Sequence, residues 1–298
     1  MSTSNSPDES RIVAISDCEN DTSGVKQSLH FAGLLSKQGQ LRTKARHASI
    51  VQTGDLLHKR APNPSAIEFW EEIRATGAKQ GCAVHILAGN HELEIWQRLQ
   101  SGQDLGLKRQ QRKAVKAFIR TTRLFHVEGS ILFIHGYPTL GLLRDMRRYH
   151  RRTGKSLNRY NKDCFQPTMD NTKQLARYAY PRGEVFGRTL LHDVPDPARY
   201  YQRHGKEVAS LLGSLDIDLV VHGHRPERSG IQTDYELQRW LPGVRMINTD
   251  IQLRVRGLGA TVIRQVDDGR TDVLFVNRRN ASASHRKEVR RCSMRSAA

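Results

Sequence analysis

The chain has little from which a disulfide framework, a membrane span or a nucleotide cradle could be built. Its four cysteines, Cys18, Cys82, Cys164 and Cys292, are far apart and form no C-x-x-C pair. That spacing indicates neither a zinc knuckle nor a disulfide scaffold, and a reducing cytoplasm is the expected compartment. No stretch approaches the ~20 consecutive apolar residues of a membrane-spanning helix. Met1–Ser10 is polar and acidic, without the apolar segment of a secretory signal. There is no Walker A sequence, and Gly257-Leu258-Gly259 falls short of a dinucleotide fingerprint and reads as a bend. Acidic residues are also scarce: 30 Asp+Glu stand against 48 Lys+Arg, a net charge of +18. Such a field favours anionic partners, namely phosphorylated substrates, nucleic acid or acidic membrane surfaces.

What the chain does have is five apolar runs that each end in a short polar cluster. Ile12–Ser16 leads into Asp17-Cys18-Glu19, and Ser49–Thr53 into Gly54-Asp55. Val84–Ala88 leads into Gly89-Asn90-His91-Glu92, Ile131–Ile134 into His135-Gly136, and Ile217–Val221 into His222-Gly223-His224. Short Val/Ile-rich runs stopped by Gly or Asp read as buried strands. In open α/β sheets, ligands bind beyond the carboxyl ends of such strands. One rim would then collect carboxylates, an Asn amide oxygen and imidazoles, the donors a pair of divalent metals requires.

Between these runs the pattern alternates. Helices are expected over Val25–Lys37, with Gly39 near the stop, and over Pro64–Thr76, with Gly77 after it. With strands at Arg11–Ser16, His47–Thr53 and Cys82–Ala88, this gives a βαβαβ start with parallel strands. Glu92–Leu99 and Leu107–Thr121 read as helices. From Pro138 to about Arg199 regularity fades into a segment crowded with arginine and tyrosine, read as a basic insertion or cap (about 138–199). A helix near Lys206–Leu215 returns the chain to Ile217–Val221. Val244–Asn248, Gln252–Val255, Ala260–Gln265 and Asp272–Val276 read as strands of a second sheet, with Asp268-Gly269 as a turn. Residues 1–10 are expected to be a disordered leader, 11–279 a single domain, and 280–298 a basic disordered tail.

The ordered clusters resemble those of the calcineurin-like metallophosphoesterases, near the bacterial-type Ser/Thr protein phosphatase branch. The resemblance rests on Gly54-Asp55, Gly89-Asn90-His91-Glu92, His135 and His222-Gly223-His224. It covers Arg11–Gly136 and Ile217–Asp250. It implies a four-layer α/β/β/α sandwich with a binuclear metal site at the strand ends. Asp55 would bridge the two cations; Asp17, Glu19 and His224 would hold one, and Asn90, His135 and His222 the other. A metal-bridging hydroxide would attack the phosphorus of a phosphomonoester, such as a phosphoprotein Ser/Thr group, with His91 as general acid. Glu92 would support the turn. Lys59 and Arg60 would bind the substrate phosphate.

The sequence departs from the family pattern at two points. Glu19 stands where the family usually places a His; with Asp17 it should shift preference toward Mn²⁺ or Mg²⁺, ahead of Fe or Zn²⁺. His58-Lys59 stands where the protein-phosphatase branch has Asp-Arg, which replaces a bidentate phosphate grip by a point charge. A nucleotide or dinucleoside polyphosphate hydrolase, or a phosphodiesterase, is therefore an alternative reading. A second alternative is a catalytically weak nucleic-acid-binding protein on the same fold, drawn from pairs such as Arg148-Tyr149 and Arg159-Tyr160.

Overall fold

The computed structural model describes residues 11–171, 196–224, 235–250, 259–265 and 271–277. The leader, the tail, the Gln252–Val255 run, the Asp268-Gly269 turn and the later part of the insertion lie outside the described residues. The expected βαβαβ start is present as β1 (Arg11–Ile15), α1 (Thr22–Phe31), β2 (Ala48–Gln52), α2 (Pro64–Gln80) and β3 (Ala83–Ile86). β1 pairs parallel with β2, and β2 with β3. Helix α1 starts earlier than expected because the Asp21 carboxylate accepts the Gly24 amide at 2.8 Å and caps it. Helix α2 has the anticipated start, with Asn63 as cap and Pro64 in the first turn, but continues through Gly77 to Gln80.

α3 (Asn90–Gln100) and α4 (Arg109–Thr121) lead to a second sheet of β4 (Phe125–Glu128), β5 (Ile131–Ile134), β6 (Leu219–His222) and β7 (Arg245–Asn248). β4, too short and polar to stand out in the sequence, is antiparallel to β5, whereas β5, β6 and β7 are mutually parallel. The stretch read as irregular after Pro138 contains a full helix, α5 (Leu140–Thr153), which packs on α6 (Pro197–Gly213). Leu142, Leu143, Met146 and Tyr149 repeat at helical spacing and are buried. The exposed arginines between them, Arg144, Arg148, Arg151 and Arg152, hid that period in the sequence.

The late strands correct the expectation of a separate second sheet. β7 joins β6, while β8 (Gly259–Gln265) and β9 (Thr271–Asn277) extend the first sheet to the order β3-β2-β1-β8-β9. β1 is apolar on both faces, and such a strand is stable only with both edges paired; β8 supplies the second partner.

The alternation within the strands defines the layers. Ile12, Ala14, Val51, Ile131, Phe133, Leu219, Val221, Ile247 and Ile263 form one cluster between the sheets. Their sequence neighbours Val13, Ile15, Ile50, Leu132, Ile134, Val220 and Met246 join the apolar faces of the helices. The result is the two-sheet α/β sandwich. Among the described residues, no helix is long and apolar enough to cross a membrane. Phe133, fully enclosed between the sheets, provides a test of this core: Phe133→Ala should lower stability by about 3–5 kcal/mol, measured by urea unfolding.

Candidate metal centre

The strand ends meet at one rim because the loops that follow them are hydrogen-bonded to one another. After β1, Asp17 N–H donates to Gly54 O (3.1 Å), Glu19 N–H to Asp55 O (3.0 Å) and Asn20 N–H to Leu56 O (2.8 Å), zipping the first loop to the second. Gly223 N–H donates to His135 O (2.9 Å) within the second sheet, and His135 Nδ1 to Thr53 O (2.9 Å) joins that sheet to the first. His224 N–H donates to Asp17 Oδ2 at 2.9 Å.

Such loops demand unusual backbone. Asp17, Glu19, Asn20, Asp55 and His224 have φ of 50°, 43°, 74°, 53° and 74°, five of the seven non-glycine residues with positive φ among those described. Each left-handed non-glycine residue costs of order 1–2 kcal/mol, and strain of this kind persists where surrounding structure imposes it, typically at functional sites. Close approach explains two of the glycines. A Cβ on Gly223 would collide with Ser16 Oγ and Asp17 Oδ2, and one on Gly89 with the Asp55 carboxylate.

The bridge candidate Asp55 is clasped by the first turn of α3. Buried Glu92 accepts Gly89 N–H (2.8 Å) and Asp55 N–H (2.9 Å) on Oε2, and Leu57 N–H (2.8 Å) on Oε1. Asp55 Oδ1 in turn accepts His91 N–H at 2.8 Å. Glu92 thus supports the turn, as its position suggested. The His91 ring is oriented by the backbone: its Nδ1 lies 3.1 Å from Leu57 O, which sets Nε2 3.4 Å from Asp55 Oδ2.

Ligand atoms of Asp55, His135 and His224 lie within 4.8 Å of one another. His135 Nε2 is 3.4 Å from Asp55 Oδ1, 3.0 Å from Asn90 Oδ1 and 3.1 Å from His224 Nδ1. Asp17 joins them through His224. Glu19 reaches the same rim, with Oε1 3.9 Å from His91 Nδ1. His222 Nδ1 meets Gly223 O at 3.0 Å, and the ring packs on Tyr137 at 4.6 Å. The two substrate-binding candidates are placed differently from the ligands. Lys59 Nζ is 3.9 Å from Glu94 on α3, and Arg60 is exposed.

The electrostatics match a cation site. Burial alone would raise Asp55, but His135 and His91 more than offset it and hold the carboxyl below its ordinary range. Burial likewise opposes charge on His135, yet the Asp55 carboxylate beside it raises the imidazole to about 10. Desolvation, with Asp55 adding to it, pushes Asp17 up to about 7. Burial lowers His91, countered by Asp55 and Glu19. A carboxylate held ionised among converging N and O donors fits hard or borderline divalent cations.

The sequence reading passed over Asn248, Thr249 and Asp250, which are buried at the end of β7. Thr249 Oγ1 donates to His222 O at 2.8 Å and lies 3.3 Å from Thr53 Oγ1. The signal was available: Val244–Asn248 is a sixth apolar run ending in polar residues.

Residues 10–228 match the calcineurin-like phosphoesterase family. The chain belongs to that family and is a hydrolase of phosphoester bonds. Its fold is similar to a cold-active protein-tyrosine phosphatase of a psychrophilic Shewanella species, at 15% identity and a TM-score of 0.59, covering 90% of this chain and 82% of that one. It is also similar to a protein serine/threonine phosphatase from Saccharomyces cerevisiae, at 13% identity and a TM-score of 0.50, covering 91% and 81%. The family is typically dependent on two metals.

The clasp can be tested directly. Glu92→Gln keeps one acceptor oxygen but turns an amide group toward the remaining N–H donor. It should cost about 1–3 kcal/mol in urea unfolding for the amide left unsatisfied, together with a loss of turnover.

Proposed function

We propose that the protein hydrolyses phosphomonoesters, including phosphoprotein Ser/Thr groups, at a two-metal centre held by Asp17, Glu19, Asp55, Asn90, His135, His222 and His224. The observation that carries this reading is the placement of His91, its Nδ1 tied to the Leu57 carbonyl and its Nε2 beside the Asp55 carboxylate, among the converging donors. When bound, a divalent pair supplies an acidified water as nucleophile and neutralises phosphate oxygens.

The chain's own residues contribute orientation and proton transfer. Asp55, held ionised by its histidine neighbours, presents a carboxylate beside the His135 and His224 nitrogens. The Leu57 carbonyl accepts Nδ1–H and fixes the His91 ring so that Nε2 faces the site, where the Asp55 carboxylate beside it favours the protonated ring that would donate to the leaving oxygen. Glu19 adds a second hard oxygen donor near Asp17, which favours Mn²⁺ or Mg²⁺ over Zn²⁺ or Fe. Lys59 and Arg60 supply positive charge for the phosphate; for Lys59 this requires exchanging Glu94 for substrate. The free thiols Cys18, Cys82 and Cys164 support a cytoplasmic setting. The relatives reported above are phosphatases by name, which supports a phosphoesterase over a nucleic-acid-binding protein.

Turnover of a phosphomonoester, a phosphodiester and a diadenosine polyphosphate in Mn²⁺ tests the substrate class; preference for either of the latter two would displace the monoester reading. His91→Ala should lower kcat about 10²–10⁴-fold for an alkyl phosphomonoester. The loss should be smaller for p-nitrophenyl phosphate, whose leaving group needs no proton. Equal losses on both would remove His91 from the acid role. Glu19→His should move the Zn²⁺:Mn²⁺ activity ratio toward zinc by about tenfold, measured on metal-stripped and reconstituted protein.

A further inference from the structure

A second cluster of metal-ligating groups lies where the edges of the two sheets meet. Arg123 N–H donates to Ile86 O (3.0 Å) and Arg123 O accepts Ala88 N–H (2.7 Å), so the chain entering β4 runs beside β3 and closes the seam. His85 stands on β3. His126 and Glu128 stand two residues apart on β4 and therefore on one face of it. β4 is antiparallel to β5, so Glu128, opposite Ile131, lies at the end of the sheet away from His135. None of the three belongs to the ligand set at the rim.

The side chains are tightly organised. The His85 and His126 rings stack with centroids 3.7 Å apart and an interplanar angle of 26°. Arg123 Nη1 lies 3.1 Å from His85 Nδ1 and 3.4 Å from His126 Nδ1. His126 Nε2 is 3.3 Å from Glu128 Oε2, while Ser49 Oγ–H donates to Glu128 Oε1 at 2.8 Å. One ligand atom from each of His85, His126 and Glu128 lies within 4.8 Å of the other two.

A guanidinium N–H can only donate, so both Nδ1 atoms facing Arg123 carry lone pairs. Two imidazolium rings would not stack at this distance beside a guanidinium. Burial, with the neighbouring His126 and Arg123 adding to it, also depresses His85 to about 3. Each ring thus already turns a nitrogen lone pair, the group that ligates metal, toward one cationic atom. A carboxylate completes a His₂Glu donor set, which is characteristic of zinc.

We propose that His85, His126 and Glu128 form a further divalent-metal site, of zinc type, at the sheet seam, and that Arg123 gates it. In the form described here the guanidinium supplies the positive charge between the rings. Zn²⁺ enters when Arg123 swings outward, and the donors then close from within 4.8 Å to the roughly 3.4 Å separation that tetrahedral bonds of 2.0–2.1 Å require. The bound ion would link β3 to β4 and thereby one sheet to the other.

Zinc equivalents bound per chain, measured by equilibrium dialysis with elemental analysis, test this for the wild type, His126→Ala and Arg123→Leu. His126→Ala should bind one equivalent fewer than wild type. Arg123→Leu should hold that equivalent about tenfold more tightly or better, because a competing cation is gone. If His126→Ala does not accumulate, Glu128→Gln, at a more exposed position, should weaken the same equivalent about tenfold. Unchanged zinc equivalents in whichever ligand variant is measured, or unchanged affinity in Arg123→Leu, would overturn the proposal. Metal is counted without reference to turnover, so failure of the phosphomonoesterase reading would leave this result intact.

Discussion

One buried carboxylate connects the rim to its scaffold. Glu92 gathers the amides of Asp55, Leu57 and Gly89, so the first turn of α3 and the loop after β2 move as one piece. That clasp sets Asp55 in its left-handed conformation and brings the His91 amide to Asp55 Oδ1. It also presents the Leu57 carbonyl to the His91 ring. The candidate bridge, the candidate acid and the acid's orienting group are therefore positioned by one side chain that itself faces no substrate. Buried amides left without an acceptor are costly, which gives the clasp its rigidity.

Around this clasp the rim stores both conformational and electrostatic strain. Five non-glycine residues there have positive φ, and the carboxylates of Asp17 and Glu92 both repel that of buried Asp55. His135 relieves part of that repulsion by pairing with Asp55, and a divalent cation would relieve more. The inter-sheet core counterbalances the strain. Parallel strands with apolar side chains on both faces leave their loops little freedom except to meet at the carboxyl ends.

The seam cluster follows the opposite logic. There a guanidinium already lies against both histidine rings, which are stacked, and the carboxylate is held by His126 and Ser49. The rim concentrates carboxylates, whereas the seam carries its own cation, Arg123. This contrast makes Arg123 the residue that determines whether the seam admits a metal.

Much of the centre was legible before folding was considered. Gly89-Asn90-His91-Glu92 and His222-Gly223-His224 each mark a strand end with residues whose chemistry has few other uses, and short Val/Ile-rich runs stopped by Gly or Asp located most of the strands. β4 was not legible, because its alternation of Phe, His, Val and Glu is too short to exceed the background. Helix α5 was masked by its own arginines. The sheet membership of β8 and β9 was likewise not written locally, since strand pairing depends on which edge another strand leaves open. The amino-acid sequence determined the donor types, their order and the periodicities that bury one face of each element. Tertiary structure alone decided that Leu57 O orients His91, that Lys59 meets Glu94, and that His85 stacks on His126. Each of those contacts joins residues whose proximity arises from chain packing, which no local spacing encodes.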